Sequence, residues 1–186
     1  MLLALDISTS CTGWSIFDQQ GNFKASGHIQ LSKTKDFFDK CKIVKEFLAV
    51  LLLKFPVEKV AIEENLQAFR PGLSSAKTLM TLAQFNGIVQ YICTENFDWP
   101  ITKLNVNTAR KSVGLKIDKK DKSKTTKEKV WEWVNEENKK DNSKINWPMK
   151  ELKSGPNKGS IKMCSEAYDM ADSYVIGKAY FNLLNE

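Results

Sequence analysis

The 186-residue sequence contains one histidine, His28. That excludes a multi-histidine metal site and leaves a Ser/His/Asp relay without a credible base. His28 reads as an incidental strand histidine. The four cysteines, Cys11, Cys41, Cys93 and Cys164, are scattered with no CxxC pair, which argues against a zinc site and suits a reducing cytosol. No run of 18 apolar residues occurs: "FLAVLLLKF", Phe47 to Phe55, is too short for a bilayer and carries Lys54. The start "MLLALDIS" lacks a basic segment and reaches an acid at Asp6, so no signal peptide is expected. A P-loop is missing as well. What remains is one domain of ordinary size, 42% hydrophobic and 27% charged, expected in the cytoplasm with no membrane partner.

Charge is present but uneven. From Arg110 to Lys162 there are 16 Lys and Arg against 8 Asp and Glu, a local +8 that leaves −2 for the rest of a chain whose net charge is +6. A basic segment on a near-neutral body suits a polyanion, and equally a solvated lysine-rich loop.

Along the chain, "LLALDIS" reads as a buried strand and "TGWSIFD-QQGN-FKASGHIQL" as a hairpin bending at Gly21-Asn22. Apolar residues near a 3.6 period predict a helix over 34–55, stopped by Pro56. "VEKVAIEE" is the next strand. A helix over 75–97 follows, capped by Ser74 or Ser75, then the strand "PITKLNV" and a short helix ending near Gly114. "VWEWVNEEN" is helical, 139–163 reads as a long loop, and the last helix runs from about 165 to 184. The order β-β-β-α-β-α-β-α-α-α implies an α/β domain with a mixed sheet. Trp131 and Trp133, two apart on a helix, point to different sides: one core, the other open to a dimer or DNA contact. Phe17 and Phe23 read as sheet core.

Four acids carry the chemistry. Asp6 ends one core strand, Glu63 ends another, and Asp169 and Asp172 stand in an otherwise apolar helix, with Glu166 one turn before. Ends of adjacent strands can lie close to a packed helix, where unpaired carboxylates repel. Oxygen-only ligands select Mg²⁺ or Mn²⁺, and two such ions can clamp the attacking and leaving oxygens of a phosphodiester. The bland alternative leaves Asp169 and Asp172 exposed and Asp6 capping a turn. Ser8, Thr9, Ser10 and Thr12 suit a phosphate loop or an ordinary turn.

The opening "LALDISTSCTGWSIFD" resembles the first phosphate loop of actin-like ATPases and also the first strand of ribonuclease H-like nucleases; 186 residues hold only one of the two domains the ATPases need. Together with "KVAIEENL", "NVNTARKSVG" and "YDMADSYVIGKAY", in that order over nearly the whole chain, it resembles the RuvC-type Holliday junction resolvases in a divergent, phage-like form. The resemblance implies Asp6, Glu63, Asp169 and Asp172 as catalytic and metal-binding acids holding two Mg²⁺ ions, with Mn²⁺ able to substitute. It implies a basic residue near the scissile phosphate at Arg110 or Lys111, and a second at Lys127. The family's aromatic after the glutamate is replaced by Leu66, with Phe69 nearby. Glu64 would point to the other side of its strand.

The expectation is therefore a single ribonuclease H-like domain over 1–186, a mixed sheet of about five strands flanked by helices, with a basic insertion at about 116–163. Its function would be paired nicking of four-way DNA junctions by a homodimer in a bacterial or phage-infected cell. Arg110, Lys111, Lys119, Lys120, Lys122, Lys124, Lys127 and Phe69 would contact DNA, and Leu82, Phe85 and Ile88 would either pack in the core, the ordinary use of such residues, or offer dimer surface. The rivals are a nuclease for other branched DNA or structured RNA, and a nucleic-acid-binding module without catalysis.

Overall fold

The computed structural model describes residues 1–64, 75–117, 121–141 and 143–184. Three antiparallel strands open it: β1 (Leu2–Asp6), β2 (Cys11–Phe17) and β3 (Phe23–Gln30). The tight turn between β2 and β3 is held by Asp18, whose carboxylate accepts from the backbone N–H groups of Gln20 and Asn22, while Gly21 takes φ +82°, a left-handed conformation that glycine adopts freely. Helix α1 (Phe37–Lys54) follows; it starts later than the periodicity suggests because Asp36 caps it, accepting from Asp39 N.

Strand β4 (Lys59–Glu63) lies parallel to β1, and β5 (Ile101–Leu104) parallel to β4, giving the order β3-β2-β1-β4-β5. Between them runs α2 (Ala76–Tyr91), capped by Ser75, whose hydroxyl accepts from Thr78 N, and prolonged by a π-helical turn over Ile92–Asn96. Two helices come next, α3 (Val106–Ser112) and α4 (Thr126–Lys140). Then comes a small hairpin, β6 (Met149–Glu151) with β7 (Ile161–Met163), and the long α5 (Glu166–Leu184). The 139–163 stretch is therefore not the loop its sequence suggests. Its strands are three residues each and exposed, so no alternation of apolar and polar residues announces them.

Strand alternation assigns the two faces of the sheet. Leu3, Leu5, Ile16, Val60 and Ile62 pack under α1 and α2, against Val44, Leu48, Phe85 and Val89. Leu2, Ala4, Phe17 and Ala61 face α5, with α3 and α4 beyond it. Phe85 is wholly buried and the partly buried Ile88 packs on the same cluster, the core use that the sequence allowed beside a dimer surface. Trp131 and Trp133 are both partly buried and pack on the α5-side core, Trp131 edge-on to Trp147 and Trp133 edge-on to Tyr174, so they do not divide into one core and one outward residue. Phe17 is core, with the partly buried Phe23 packed edge-on against it.

The docking of α5 on β2 rests on small side chains. A Cβ on Gly13 would meet the Asp169 carbonyl oxygen at 2.0 Å, and one on Gly177 would meet the Phe17 ring at 2.0 Å. Between these points Ser15 and Ser173 hydroxyls hydrogen-bond at 2.8 Å in a fully buried pair. Residues 13, 15 and 17 of the strand thus meet 169, 173 and 177 of the helix. Two strand residues advance ~6.6 Å and four helix residues ~6 Å, so the two repeats stay in step along the contact. Among the described residues no helix is long and apolar enough to cross a membrane.

Candidate active site

The register that aligns Leu5 with Ile62 carries on to bring Asp6 and Glu63, the last residues of β1 and β4, side by side at one end of the sheet. Both belong to the alternation that faces α5, with Ala4 and Ala61 behind them. Asp6 also sits opposite Gly13, the residue on which the Asp169 turn of α5 rests. Asp172 follows one turn later, so all four acids line a single cleft of about 540 Å³. Arg110 from the last turn of α3 and Lys127 from the first turn of α4 line it too.

Each of these helices is started by its own cap. Asn105 accepts from Asn107 N and Thr108 N to begin α3. Thr125 and Glu128 form a reciprocal capping box that begins α4 and so fixes where Lys127 emerges. Arg110 reaches Asp172 at 3.3 Å, and Lys127 reaches Asp169 at 3.3 Å. The carboxylates of Asp6 and Glu63 form no ion pair or hydrogen bond among the described residues.

Electrostatics follow from that inventory. Burial, then Asp172, Glu63 and Asp169, push the Asp6 carboxyl well above the usual carboxylate range, with Lys127 only partly opposing them. Burial and Asp172 raise Glu63 to about 6. Asp172 is raised as well, because its burial outweighs the pull of Arg110 and Lys127. Burial works against the Lys127 ammonium, but Asp169, helped by Asp172 and Asp6, overrides it and holds the proton more tightly. Among the described residues the four carboxylates, with Glu64 and Glu166 also on the cleft lining, face the two cations Arg110 and Lys127, and the excess negative charge is what a hard divalent ion neutralises. The donor set fits such an ion in chemistry. In position it is not yet gathered: among the described residues no three acidic, cysteine or histidine side chains already converge to hold one. Asp169 and Asp172 are instead engaged by Lys127 and Arg110.

Three neighbours were not singled out by sequence. Gly13 is one, although a glycine within a strand is a known mark of close backbone approach. Cys11 is another: it lines the cleft, and burial followed by the Asp169 charge drives its thiol far upward, so it stays neutral. The third is Gln30, which donates to Glu166 at 2.9 Å and ties β3 to the first turn of α5. Glu64, Leu82 and Asn86 close the other side of the cleft.

The expected DNA-contact residues divide. Arg110 is half-buried and held by Asp172, while Lys111 is exposed beside it. Lys122 is exposed, and Lys124 pairs with Glu132. Lys119, Lys120, Phe69 and Leu66 lie outside the described residues. Ser8 and Ser10 hydrogen-bond each other, and buried Thr12 donates to Ser8 O, so these hydroxyls serve the turn itself.

No family model matches the chain, and no curated protein matches it. Solved structures do. RuvC of Thermus thermophilus in complex with a Holliday junction substrate superposes with a TM-score of 0.61 at 13% identity, over 99% of this chain and 94% of that one. A second Thermus thermophilus RuvC structure gives 0.59 at 15%, over 99% and 95%. The yeast mitochondrial Holliday junction resolvase Ydc2 gives 0.59 at 14%, over 97% and 77%. The fold is therefore the ribonuclease H-like fold of the junction resolvases.

Proposed function

We propose that this protein is a divalent-cation-dependent endonuclease that resolves four-way DNA junctions, 1–186 acting as one nuclease domain and 116–163 as its basic nucleic-acid-binding part. The observation that carries this reading is the unbalanced acid cluster: Asp6, Glu63, Asp169 and Asp172 line one cleft at the sheet end, and among the described residues of its lining Arg110 and Lys127 are the cations that offset them. The likeness of the whole fold to junction resolvases supports it.

The four carboxylates would hold two Mg²⁺ or Mn²⁺ ions. When bound, such ions activate water and stabilise the leaving 3′ oxygen of an in-line displacement. The chain's own groups do the rest. Lys127 and Arg110, turned from the carboxylates toward an incoming phosphodiester, neutralise its non-bridging oxygens. Asp169 sits on the backbone of β2 and cannot drift from Asp6. Cys11 remains a neutral thiol on the cleft lining beside Asp169. The products are a 5′-phosphate and a 3′-hydroxyl. Two nicks on opposed strands need two such sites, hence a two-fold homodimer on a two-fold substrate. The setting is the cytosol of a bacterial or phage-infected cell.

A second reading is favoured by the two ion pairs themselves. If Arg110 and Lys127 neutralise Asp172 and Asp169 permanently, the chain is a nucleic-acid-binding module without catalysis. Incubation with synthetic four-way, three-way and flap DNAs, in Mg²⁺ and in excess chelator, separates the two. Cleavage confined to Mg²⁺ and greatest on the four-way substrate is expected. Binding with no cleavage in any divalent ion leaves the second reading.

A further inference from the structure

The β6–β7 hairpin pairs lysine with lysine. Its register sets Lys150 directly opposite Lys162 on one face, while Met149–Met163 and Glu151–Ile161 occupy the other. Like charges directly opposite each other on a two-stranded ribbon destabilise it. Two more lysines, Lys153 and Lys158, flank the turn, which Gly155 and Gly159 close with φ of +83° and +87°. All four lysines are exposed, and none forms an ion pair among the described residues. The contrast with α4 and α5 is direct, since Lys124, Lys129, Lys140 and Lys178 each hold a carboxylate. Cys164 N donates to Pro148 O at the base of the hairpin, and α5 begins two residues later with the turn that carries Asp169. The ribbon therefore springs from the acidic end of α5, and its three-residue strands span roughly 10 Å, about the length of three base pairs of duplex at one phosphate per strand every 3.4 Å.

We propose that this hairpin is a phosphate-binding arm: the Lys150–Lys162 pair and the two turn lysines grip the backbone of a DNA duplex arm leading into the cleft. A phosphate between Lys150 and Lys162 converts their repulsion into two attractive contacts, which gives the paired placement a use. The arm reads backbone and carries no base specificity. This inference rests on the nuclease reading for the identity of the DNA, but it is tested by binding alone.

The test is the salt dependence of affinity for a synthetic four-way junction, measured in chelator so that no cleavage intervenes. Lys150→Gln with Lys162→Gln should weaken binding and reduce the slope of log affinity against log salt by about 1 to 2 in magnitude, since each phosphate neutralised contributes about 0.9. Lys45→Gln with Lys54→Gln, on exposed positions of α1, removes the same charge and should leave the slope unchanged. Lys162→Glu guards against a folding artefact: it sets an opposite charge across from Lys150, so it should melt no lower than wild type while binding DNA more weakly. A wild-type slope and affinity in the double Gln variant overturns the arm, and leaves exposed Met149 and Ile161 to mark a protein-binding face instead. The nuclease reading fails separately, if the wild type binds the junction but does not cut it in Mg²⁺. A wild type that binds no junction overturns both.

Discussion

Gly13 and Asp169 meet backbone to backbone: the point where a Cβ on Gly13 would stand is 2.0 Å from the Asp169 carbonyl oxygen. The same glycine is the cross-strand partner of Asp6. One missing side chain therefore sets the spacing between a strand carboxylate and a helix carboxylate from the far end of the sequence. Gly13→Ala must lift the first turns of α5 from the sheet. It should cost about 1–3 kcal/mol of stability, the usual range for overpacking, and reduce cleavage more than junction binding. Urea unfolding beside a cleavage assay checks both; an alanine variant with wild-type stability would show that α5 is not seated as described.

The charge balance makes a pH prediction. Glu63 titrates at about 6 in the fold against 4.5 ordinarily. The native state then binds more protons than the unfolded chain between those values, so this group's contribution to stability falls as pH rises through them. The full cost at pH 7.5 is roughly 2 kcal/mol. Glu63→Gln should accordingly stabilise the ion-free protein at pH 7.5 and do little at pH 4.5. Equal effects at both pH values would mean that Glu63 is not strained by its neighbours.

Lys127 opposes the upward shifts of both Asp6 and Glu63. Lys127→Met should therefore raise the pH at which Mg²⁺ begins to increase the melting temperature, because the acids then hold their protons to higher pH. A thermal-shift titration at several pH values reads this directly, and an unmoved threshold would place Lys127 outside the cluster's balance.

How much of this was legible beforehand depends on the kind of signal. The strands ending in Asp6 and Glu63 are five-residue apolar runs and the helix bearing Asp169 and Asp172 is a long, largely buried one, so an acid in each stands out as a candidate, and the family resemblance is what joins the four into one site. The ion pairs were not. Arg110 and Lys127 were read as DNA contacts, and nothing local to "TARKS" or "TTKEK" says that each side chain turns inward to a carboxylate 62 or 42 residues away. The hairpin escaped notice because three-residue exposed strands carry no hydrophobic pattern. Phe85 stood between core and dimer surface because an apolar residue on an amphipathic helix gives no hint whether the covering layer is the same chain or another; its complete burial assigns it to the core.

Asp169→Asn removes one ligand charge without altering shape. It should lower cleavage at least about a hundredfold, as loss of a transition-state electrostatic partner does, while junction affinity stays the same or improves as negative charge leaves the cleft. A gel-shift and a cleavage time course on one substrate suffice; a parallel loss of both would make Asp169 structural.

The central claim is most directly tested on a supercoiled plasmid that extrudes a cruciform. With Mg²⁺ the wild-type protein should convert it mainly to linear DNA, because a two-fold dimer nicks opposed strands before it dissociates, and excess chelator should abolish the reaction. Nicked circles as the lasting product would contradict paired resolution. Undiminished cleavage in chelator would contradict the four-acid site itself.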